Sequence, residues 1–329
     1  MSNDTMSNNI ISHSVLRVVS AGFYTSLQDF GRFGLLAAGI TRGGPVDERA
    51  FLWANRLLDN HYNAAQLEIT ASACRLACLA ETQVCVTGAA SQVVINGEPQ
   101  RSWQVLTLRA GDQLEIPPPQ RGLRSYLAIR GGFSATPCQG SVATVRRDRR
   151  GGIHGDGRLL ADGEVLKAPL FSVELPQRRP QQELLAALIS QPSTPLQLGI
   201  IASGQYQQFS DSARQLLTNQ TMRVSPAHDR MGVRLQVEQP IEWAGEQLIS
   251  EPLAVGAIQI PPDGQPIVML NDRQTLGGYP KIATLSWQAR CLLAQAGSGT
   301  QLQFYWQELS EAQAHWREVA QFFHLPRSG

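Results

Sequence analysis

Short apolar or alternating stretches, separated by turns that contain glycine and proline, run along most of the chain. Stretches of this kind are typical of the strands of a β-barrel or β-sandwich. The predicted strands include residues 15–19, 83–86, 92–96, 105–109, 113–116 and 125–130. Helical periodicity is scarce and local, so the pattern predicts a mainly β fold with a few helices.

Three segments carry the 3.6-residue period of an amphipathic helix. The first covers residues 45–58, with Asp47 expected in its first turn, where the helix dipole favours a carboxylate. Ser210 can cap a second helix that ends near Asn219. Ser310 and Gln313 form a capping-box pattern ahead of a C-terminal helix. A shorter helical piece covers residues 182–189.

A proline-rich segment between residues 174 and 197 marks the best boundary between two domains. A chain of 329 residues is long enough for each of two domains to bury its own core. The sequence predicts a disordered polar tail over residues 1–14 and an N-terminal domain over 15–175. A linker over 176–196 and a C-terminal domain over 197–329, ending in a helix, are predicted to follow.

The segment from residue 256 to 284 holds the densest set of candidate functional residues. Two apolar runs, 257–260 and 267–270, enclose a Pro-Pro-Asp-Gly turn and predict a hairpin. A polar series follows, and it includes Asp272, Arg273 and Lys281, one of only two lysines in the chain. Lysine is a compact ammonium whose pKa shifts on burial, so Lys281 is either a functional cation or a solvated loop lysine.

Two further polar clusters are candidates for chemistry. In the first, Gln28, Asp29 and Arg32 precede a glycine-rich turn that leads to Asp47, and Asp29 and Arg32 are expected to pair. Glycine lets a backbone approach a ligand closely, although tight turns with an internal salt bridge fit the pattern equally well.

In the second cluster, Asp229 and Arg230 follow His228 just before a strand, and an arginine there could hold a carboxylate bidentately. Glu68 and Asn55 are each flanked by apolar residues and are expected to bond to the backbone.

Charge and composition exclude several classes of function. A net charge of +1 provides no excess of positive charge for binding nucleic acid or an anionic membrane. No apolar run is long enough to span a bilayer. The first residues lack the features of a signal peptide, and the five cysteines fit buried thiols, so we expect a cytoplasmic protein. No P-loop, HExxH, GxSxG or paired CxxC occurs, and no metal site is predicted.

Several motifs together resemble the biotin-dependent carboxyltransferase family, also known as allophanate hydrolase subunit 2. They run in order along nearly the whole chain: QDFGRFG, GITRGGPVDERAFLWANRLLDN, LEIT, RSYLAIRGGF, SPAHDRMGVRL and GAIQIPPDGQPIVMLNDRQTLGGYPKIAT. The family includes the C subunit of bacterial 5-oxoprolinase, the Kip-type regulator and the carboxyltransferase domain of urea amidolyase. The resemblance implies two cyclophilin-like β-barrel domains.

The leading functional hypothesis is a hydrolase component, the C subunit of a 5-oxoprolinase-type complex. The resemblance implies ATP-dependent opening of 5-oxo-L-proline to L-glutamate together with two partners, a Kip inhibitor-like protein (the B subunit) and a lactam utilisation-like protein (the A subunit). ATP belongs to the complex, without indication of the component that binds it, and biotin enters only as an external carrier. The predicted catalytic residues are Lys281, Asp29, Arg230 and Asp272. The predicted substrate-binding residues are Gln28, Arg32, Asp47, Asp229, Arg273, Gln259 and Tyr279.

Two alternatives stay open. The chain could be a carboxyltransferase half-site that acts on urea or a similar amide, with carboxybiotin supplied by another protein. It could also be a non-catalytic protein that binds a Kip-type histidine-kinase inhibitor. The sequence departs from the family's pattern at His228 and at Val142-Ala143, where the family has Ser and Arg-Ser, and the second departure keeps the regulatory alternative open.

Overall fold

The computed structural model of the protein describes residues 11–189, 194–246 and 248–326. In the first half of the chain, the strands form two antiparallel sheets whose inward-facing apolar residues share one core. The strands are β1 (Ser12–Ser20), β2 (Thr25–Gln28), β3 (Gln66–Thr70), β4 (Cys74–Cys78), β5 (Thr82–Gly88), β6 (Gln92–Ile95), β7 (Glu98–Arg101), β8 (Val105–Leu108), β9 (Gln113–Ile116), β10 (Arg124–Ile129) and β11 (Val165–Pro169). One sheet has the order β11-β1-β4-β9-β6-β7 and the other β2-β3-β10-β5-β8.

The second half contains a closed barrel of seven strands in the order β12-β19-β16-β17-β14-β13-β20, with β15 and β18 forming a separate pair. These strands are β12 (Leu196–Ala202), β13 (Met222–His228), β14 (Gly232–Gln236), β15 (Glu251–Pro252), β16 (Ala257–Gln259), β17 (Ile267–Met269), β18 (Leu276–Gly277), β19 (Lys281–Leu285) and β20 (Gln301–Trp306). Parallel pairing of β12 with β20 closes the ring. The predicted hairpin is confirmed, because Ile258 on β16 pairs with Val268 on β17.

The helices of the described residues are α1 (Glu48–Leu57), α2 (Gln182–Ile189), α3 (Asp211–Asn219), α4 (Trp287–Leu293) and α5 (Leu309–Phe322). Helix α1 packs on β5 and β10, and its outer residues share a core with the C-terminal residues Phe323 and Leu325. The mainly β prediction with a few helices is confirmed. Helix α4 was not predicted, because a helix of seven residues shows barely two periods.

Details of the helix ends differ from the sequence-based expectations. Asp47 is the N-cap of α1 rather than part of its first turn, and its side chain accepts a hydrogen bond from Ala50 N–H. Ser210 caps α3 and Asn219 is its last residue, as predicted. The prediction of a capping box at Ser310 is wrong. Helix α5 begins at Leu309, so Ser310 already lies inside the helix and cannot be its N-cap.

The predicted domain boundaries stay a prediction. Residues 1–10 of the predicted tail lie outside the described residues, and β1 begins at Ser12. No helix of the described residues is long and apolar enough to cross a membrane. The cysteines are free thiols, and all are buried except the partly buried Cys138, in agreement with the prediction.

Candidate functional site

A buried ionic centre joins the two halves of the chain at Arg230, which follows β13. Its Nη1 donates to Glu68 Oε1 of β3 over 2.5 Å. Its Nε and Nη2 donate to the two carboxylate oxygens of Asp272 over 3.0 and 2.9 Å. Nη2 also donates to the carbonyl oxygen of Gly44 over 2.7 Å. The fork of one guanidinium thus holds two carboxylates and a backbone carbonyl, the geometry that arginine provides and lysine does not.

The two carboxylates of this centre differ in their surroundings. Burial alone would raise the pKa of Glu68, but Arg230 and Arg124, with hydrogen bonds from Val46 N–H and the Tyr126 hydroxyl, hold it below its ordinary value. Burial raises the pKa of Asp272, and Arg230 offsets this only in part. Asp272 is therefore the carboxylate of the pair that accepts a proton more readily.

The glycine-rich turn before α1 packs closely against this centre, because a side chain at Gly44 would clash with the backbone. Asn271 donates from Nδ2 to the carbonyl oxygens of Gly43 and Pro45 over 3.1 and 2.9 Å. Gly44 has φ of 89°, and a Cβ there would lie 2.9 Å from the Phe30 carbonyl oxygen. The turn thus requires glycine, and it carries the first half of the chain onto the loop after β17.

Lys281 lies apart from Arg230 at the start of β19. Its Nζ is 2.9 Å from Glu251 Oε2 but makes no aligned hydrogen bond among the described residues. The side chain is 13% exposed. Neighbouring Gln205 holds the segment by accepting from Lys281 N–H over 2.7 Å and donating to Glu251 over 2.9 Å. The ammonium is therefore buried beside the Glu251 carboxylate without an aligned hydrogen bond to it.

Comparison with known proteins identifies the family to which this architecture belongs. A family model described as the carboxyltransferase domain, subdomains A and B, matches residues 38–306, most of the chain. The chain belongs to this carboxyltransferase domain family. The resemblance predicted from the sequence motifs is thereby confirmed.

Individual relatives give the scale of the similarity. The 5-oxoprolinase C subunit of Escherichia coli K12 is 32% identical over 298 residues, which cover 91% of this chain and 93% of the relative. Among solved structures, TTHA0988 has a TM-score of 0.78 at 31% identity, covering 89% of this chain and 55% of that one. The Kluyveromyces lactis urea carboxylase has a TM-score of 0.84 at 25% identity, covering 94% of this chain and 29% of that one. The chain thus spans about half of the first solved protein and less than a third of the second.

Within this carboxyltransferase domain, Asp29 and Arg32 do not pair with each other as expected. Asp29 accepts hydrogen bonds from the Ser141 hydroxyl and Val142 N–H over 2.5 and 2.9 Å. Arg32 donates to the carbonyl oxygens of Ala143, Cys138 and Ser141. The expectation of an internal salt bridge is wrong because both side chains instead fix the segment that departs from the family's pattern.

The other predicted substrate-binding residues are dispersed. Gln28 is fully buried and donates to the Ser26 hydroxyl and Thr144 carbonyl, while its own Oε1 has no partner among the described residues. Asp229 is exposed and accepts from Met231 and Gly232 N–H groups in a tight turn. Gln259 donates to the carbonyl oxygen of Tyr279, whose ring is 45% exposed. Arg273 lies next to Asp272 and is 3% exposed.

Three residues at the ionic centre, Glu68, Tyr126 and Tyr24, were not among the predicted site residues. Glu68 bonds to Val46 N–H, as expected, but its main partners are side chains. Burial raises the pKa of Tyr24, and the charges of Arg230, Asp272 and Glu68 act on the same phenol, so Tyr24 borders the ionic centre. A glutamate inside the apolar run of β3 was the available signal, because a buried charge requires a charged partner. Among the described residues, no group of His, Cys, Asp and Glu side chains is arranged to hold a metal ion.

Proposed function

We propose that this carboxyltransferase domain is the C subunit of a 5-oxoprolinase-type complex that opens 5-oxo-L-proline to L-glutamate with hydrolysis of ATP. The observation that carries the proposal is the match to a 5-oxoprolinase C subunit of Escherichia coli at 32% identity over nearly the full length of both chains. The proposal assigns ATP to the complex as a co-substrate and assigns no ATP site to this chain.

Ring opening adds water across the lactam C–N bond: the hydroxyl goes to the carbonyl carbon and a proton goes to the nitrogen. Negative charge develops on the carbonyl oxygen as the carbon becomes tetrahedral, and a preorganised cation stabilises it most when water is excluded. In the proposal, Lys281 supplies this cation. Its side chain is largely buried, and its Nζ carries donors that the described residues leave unaligned.

Asp272 is the proposed proton acceptor. Its raised pKa follows from burial, and a carboxylate with a pKa closer to neutrality is a better general base than an ordinary aspartate. Arg230 is a positioning residue in this scheme, because both of its contacts to Asp272 fix the orientation of the carboxylate.

The proposed partners are two further proteins, the Kip inhibitor-like and lactam utilisation-like components of the complex. Two features support an assembly: the relatives are named as subunits, and the predicted site residues of this chain are dispersed rather than gathered into one complete active site. Lys281 on β19 and Asp272 after β17 each offer one group, so the remaining contacts to substrate are expected from the partner chains.

The test is reconstitution of glutamate formation from 5-oxo-L-proline and ATP with this chain and the two purified partner proteins. We expect turnover only with all three proteins. Lys281→Ala should lower the rate by about 10²–10³-fold, the effect of removing one donor to a developing oxyanion. The matched control is Lys167→Ala, which removes the other lysine, an exposed residue on β11.

Gel filtration with the two partner proteins checks that each variant still assembles. Equal rates for the Lys281→Ala and wild-type complexes would remove Lys281 from the mechanism. Absence of turnover in the complete wild-type mixture would overturn the proposed function itself.

A second candidate function is a carboxyltransferase half-site. It is favoured by the family model and by the match to the Kluyveromyces lactis urea carboxylase over 94% of this chain. The same purified proteins can be incubated with a carboxybiotin carrier and urea. Loss of carboxyl from biotin that requires urea, without glutamate formation from 5-oxo-L-proline, would select this function.

A further inference from the structure

A cluster of three arginines lies beside the ionic centre and is drawn from both halves of the chain. Arg42 precedes α1, Arg273 follows β17, and Arg290 is on α4. Arg42 Nη2 is 3.0 Å from Glu48 Oε1, and Arg290 Nη2 is 3.6 Å from Glu48 Oε2. We call Arg42, Arg273 and Arg290 the arginine cluster.

The arginine cluster has too few carboxylates for its charge. Glu48 is the one carboxylate among the described residues that forms an ion pair with any of the three, and it also accepts from Trp287 Nε1 over 2.8 Å. Arg273 makes no ion pair among the described residues and donates only to the carbonyl oxygens of Leu253 and Leu270. Two of the three guanidiniums therefore share one carboxylate and the third has none, in a largely buried place where an unpaired charge is costly.

The electrostatics show that the three guanidiniums act on one another. Burial, followed by the charges of Arg42 and Arg290, lowers the pKa of Arg273 to about 10. Burial also lowers the pKa of Arg42, Glu48 opposes this, and Arg290 adds to the lowering. The buried Nε of Arg42 has no hydrogen-bond partner among the described residues.

The arginine cluster touches solvent at one edge. The side chains of Arg42 and Arg290 are 14% and 16% exposed, and Arg273 is 3% exposed. The Arg42 guanidinium also lies over the ring of Phe33, 4.5 Å from its centroid, and that ring is 62% exposed. Solvent therefore reaches the cluster at Arg42 and Arg290, beside Phe33, whereas Arg273 is buried.

We infer that the arginine cluster is a binding site for a small oxyanion, a carboxylate or a phosphate group, held between the two halves of the chain. The planar fork of arginine matches both groups bidentately, and charge-assisted hydrogen bonds of this kind are the strong ones. The ion would neutralise charge that Glu48 leaves uncompensated. This inference does not depend on the proposed activity, because the cluster is formed by this chain alone.

The test uses the purified full-length chain without partner proteins. Thermal unfolding and titration calorimetry are measured with inorganic phosphate and with acetate, each against sodium chloride at equal ionic strength. We expect phosphate, acetate or both to raise the melting temperature beyond the effect of chloride. Phosphate alone would identify a phosphoryl ligand, and acetate alone a carboxylate ligand.

Two variants and a control locate the ion. Arg290→Gln, at the exposed edge, and Arg273→Gln should each weaken the anion's Kd by about tenfold or more, the loss of one charge-assisted bond. Arg223→Gln removes an exposed arginine on β13 and should bind as wild type does. Circular dichroism checks that each variant is folded. If one of the two cluster variants misfolds, the other still tests the inference. The inference is overturned if neither anion stabilises the chain beyond chloride, or if the folded Arg290 and Arg273 variants bind as tightly as wild type.

Discussion

Arg230 connects two carboxylates that are far apart in the sequence, since Glu68 belongs to β3 and Asp272 follows β17. Transfer of three charged groups from water into the junction is costly. Their mutual contacts offset that cost, together with the contacts that Arg124, Val46 N–H and the Tyr126 hydroxyl make with Glu68. The side chain of Arg230 is 4% exposed and those of Glu68 and Asp272 are 0% and 6% exposed, so little water reaches the centre to replace a lost partner.

Arg230→Gln removes the cation and leaves both carboxylates buried. We expect the free energy of unfolding to fall by about 3–5 kcal/mol, the typical loss when one partner of a buried ion pair is removed. Urea denaturation measures it. Arg234→Gln is the matched control, because Arg234 pairs with Asp263 on the surface, and exposed pairs contribute at most about 1 kcal/mol. Equal losses in the two variants would contradict the importance assigned to the buried centre.

At the residue scale, the sequence indicated individual polar side chains but not the partners that they have in the fold. Asp272, Arg230 and Lys281 were identified as candidates from polar segments next to strands. Their contacts could not be predicted, because Glu68 reaches Arg230 only after β3 and the loop after β13 are brought together by the fold. The Asp29–Arg32 pair failed for the same reason, since nearness in sequence does not determine which way a buried side chain points.

At the scale of elements, helix α1 depends on its cap. Asp47 accepts from Ala50 N–H and from Gln295 Nε2, over 3.1 and 2.7 Å, and its own N–H donates to the Tyr126 hydroxyl. The N-cap therefore connects the start of α1 both to β10 and to Gln295, two residues after α4. A capping residue with this many partners holds an element in position as well as completing its first turn.

Asp47→Ala should lower the free energy of unfolding by about 2 kcal/mol, the upper end of the range for an N-cap, because the bond from Gln295 is lost as well. Ser210→Ala, at the cap of α3, should cost about 1 kcal/mol. Ser310→Ala is the control, because no side chain caps α5 and substitutions at such surface positions change stability by less than about 0.5 kcal/mol. A loss at Ser310 equal to that at Asp47 would restore the capping box that the structure contradicts.

Elements were predictable where apolar spacing agreed with turn or capping residues, and helix α4 was not predictable. The helix at residues 45–58 and the hairpin around residues 261–264 were both found, because apolar spacing and turn residues agreed. Helix α4 was missed although Ser286 caps it and Arg290 of the arginine cluster lies on it. Seven residues give too little periodicity to distinguish a helix from a loop.

On the scale of the whole molecule, buried thiols make stability depend on alkaline pH. Burial raises the pKa of Cys74 to about 12 and of Cys78 to about 11, and it also raises the pKa values of Cys85 and Cys291. An unfolded cysteine ionises near pH 8.5, whereas these folded thiols stay protonated there. Their contribution to stability is therefore complete below about pH 8.5 and is lost as pH rises towards the folded pKa.

Replacing Cys74 with alanine should make this alkaline loss of stability shallower. One thiol contributes about 1.4 kcal/mol per pH unit between its unfolded and folded pKa values. Urea denaturation from pH 7 to 10 measures the slope. Val84→Ala is the control, because it also removes buried side-chain volume but no ionisable group, so it should lower stability without changing the slope. An unchanged slope in Cys74→Ala would show that this thiol does not carry the effect.

The fold class of the whole molecule followed from strand patterning, and the family followed from several motifs taken together. The junction between the two halves could not be predicted by either route. It depends on tertiary contacts such as Asn271 with the turn at Gly43, and neither periodicity nor motif order specifies such contacts. The arginine cluster was hidden for this reason, since Arg42 is far in sequence from the other two members and Arg290 lies on an unpredicted helix.

Helix α5 has a consequence for synthesis of the chain on the ribosome. Trp53 of α1 packs against Phe323 in an edge-to-face contact 5.6 Å between centroids, and Leu325 belongs to the same core. The nascent chain folds from its N-terminus, but these covering residues are translated long after α1. The apolar face of α1 at Trp53 therefore stays uncovered until the second half of the chain has been made.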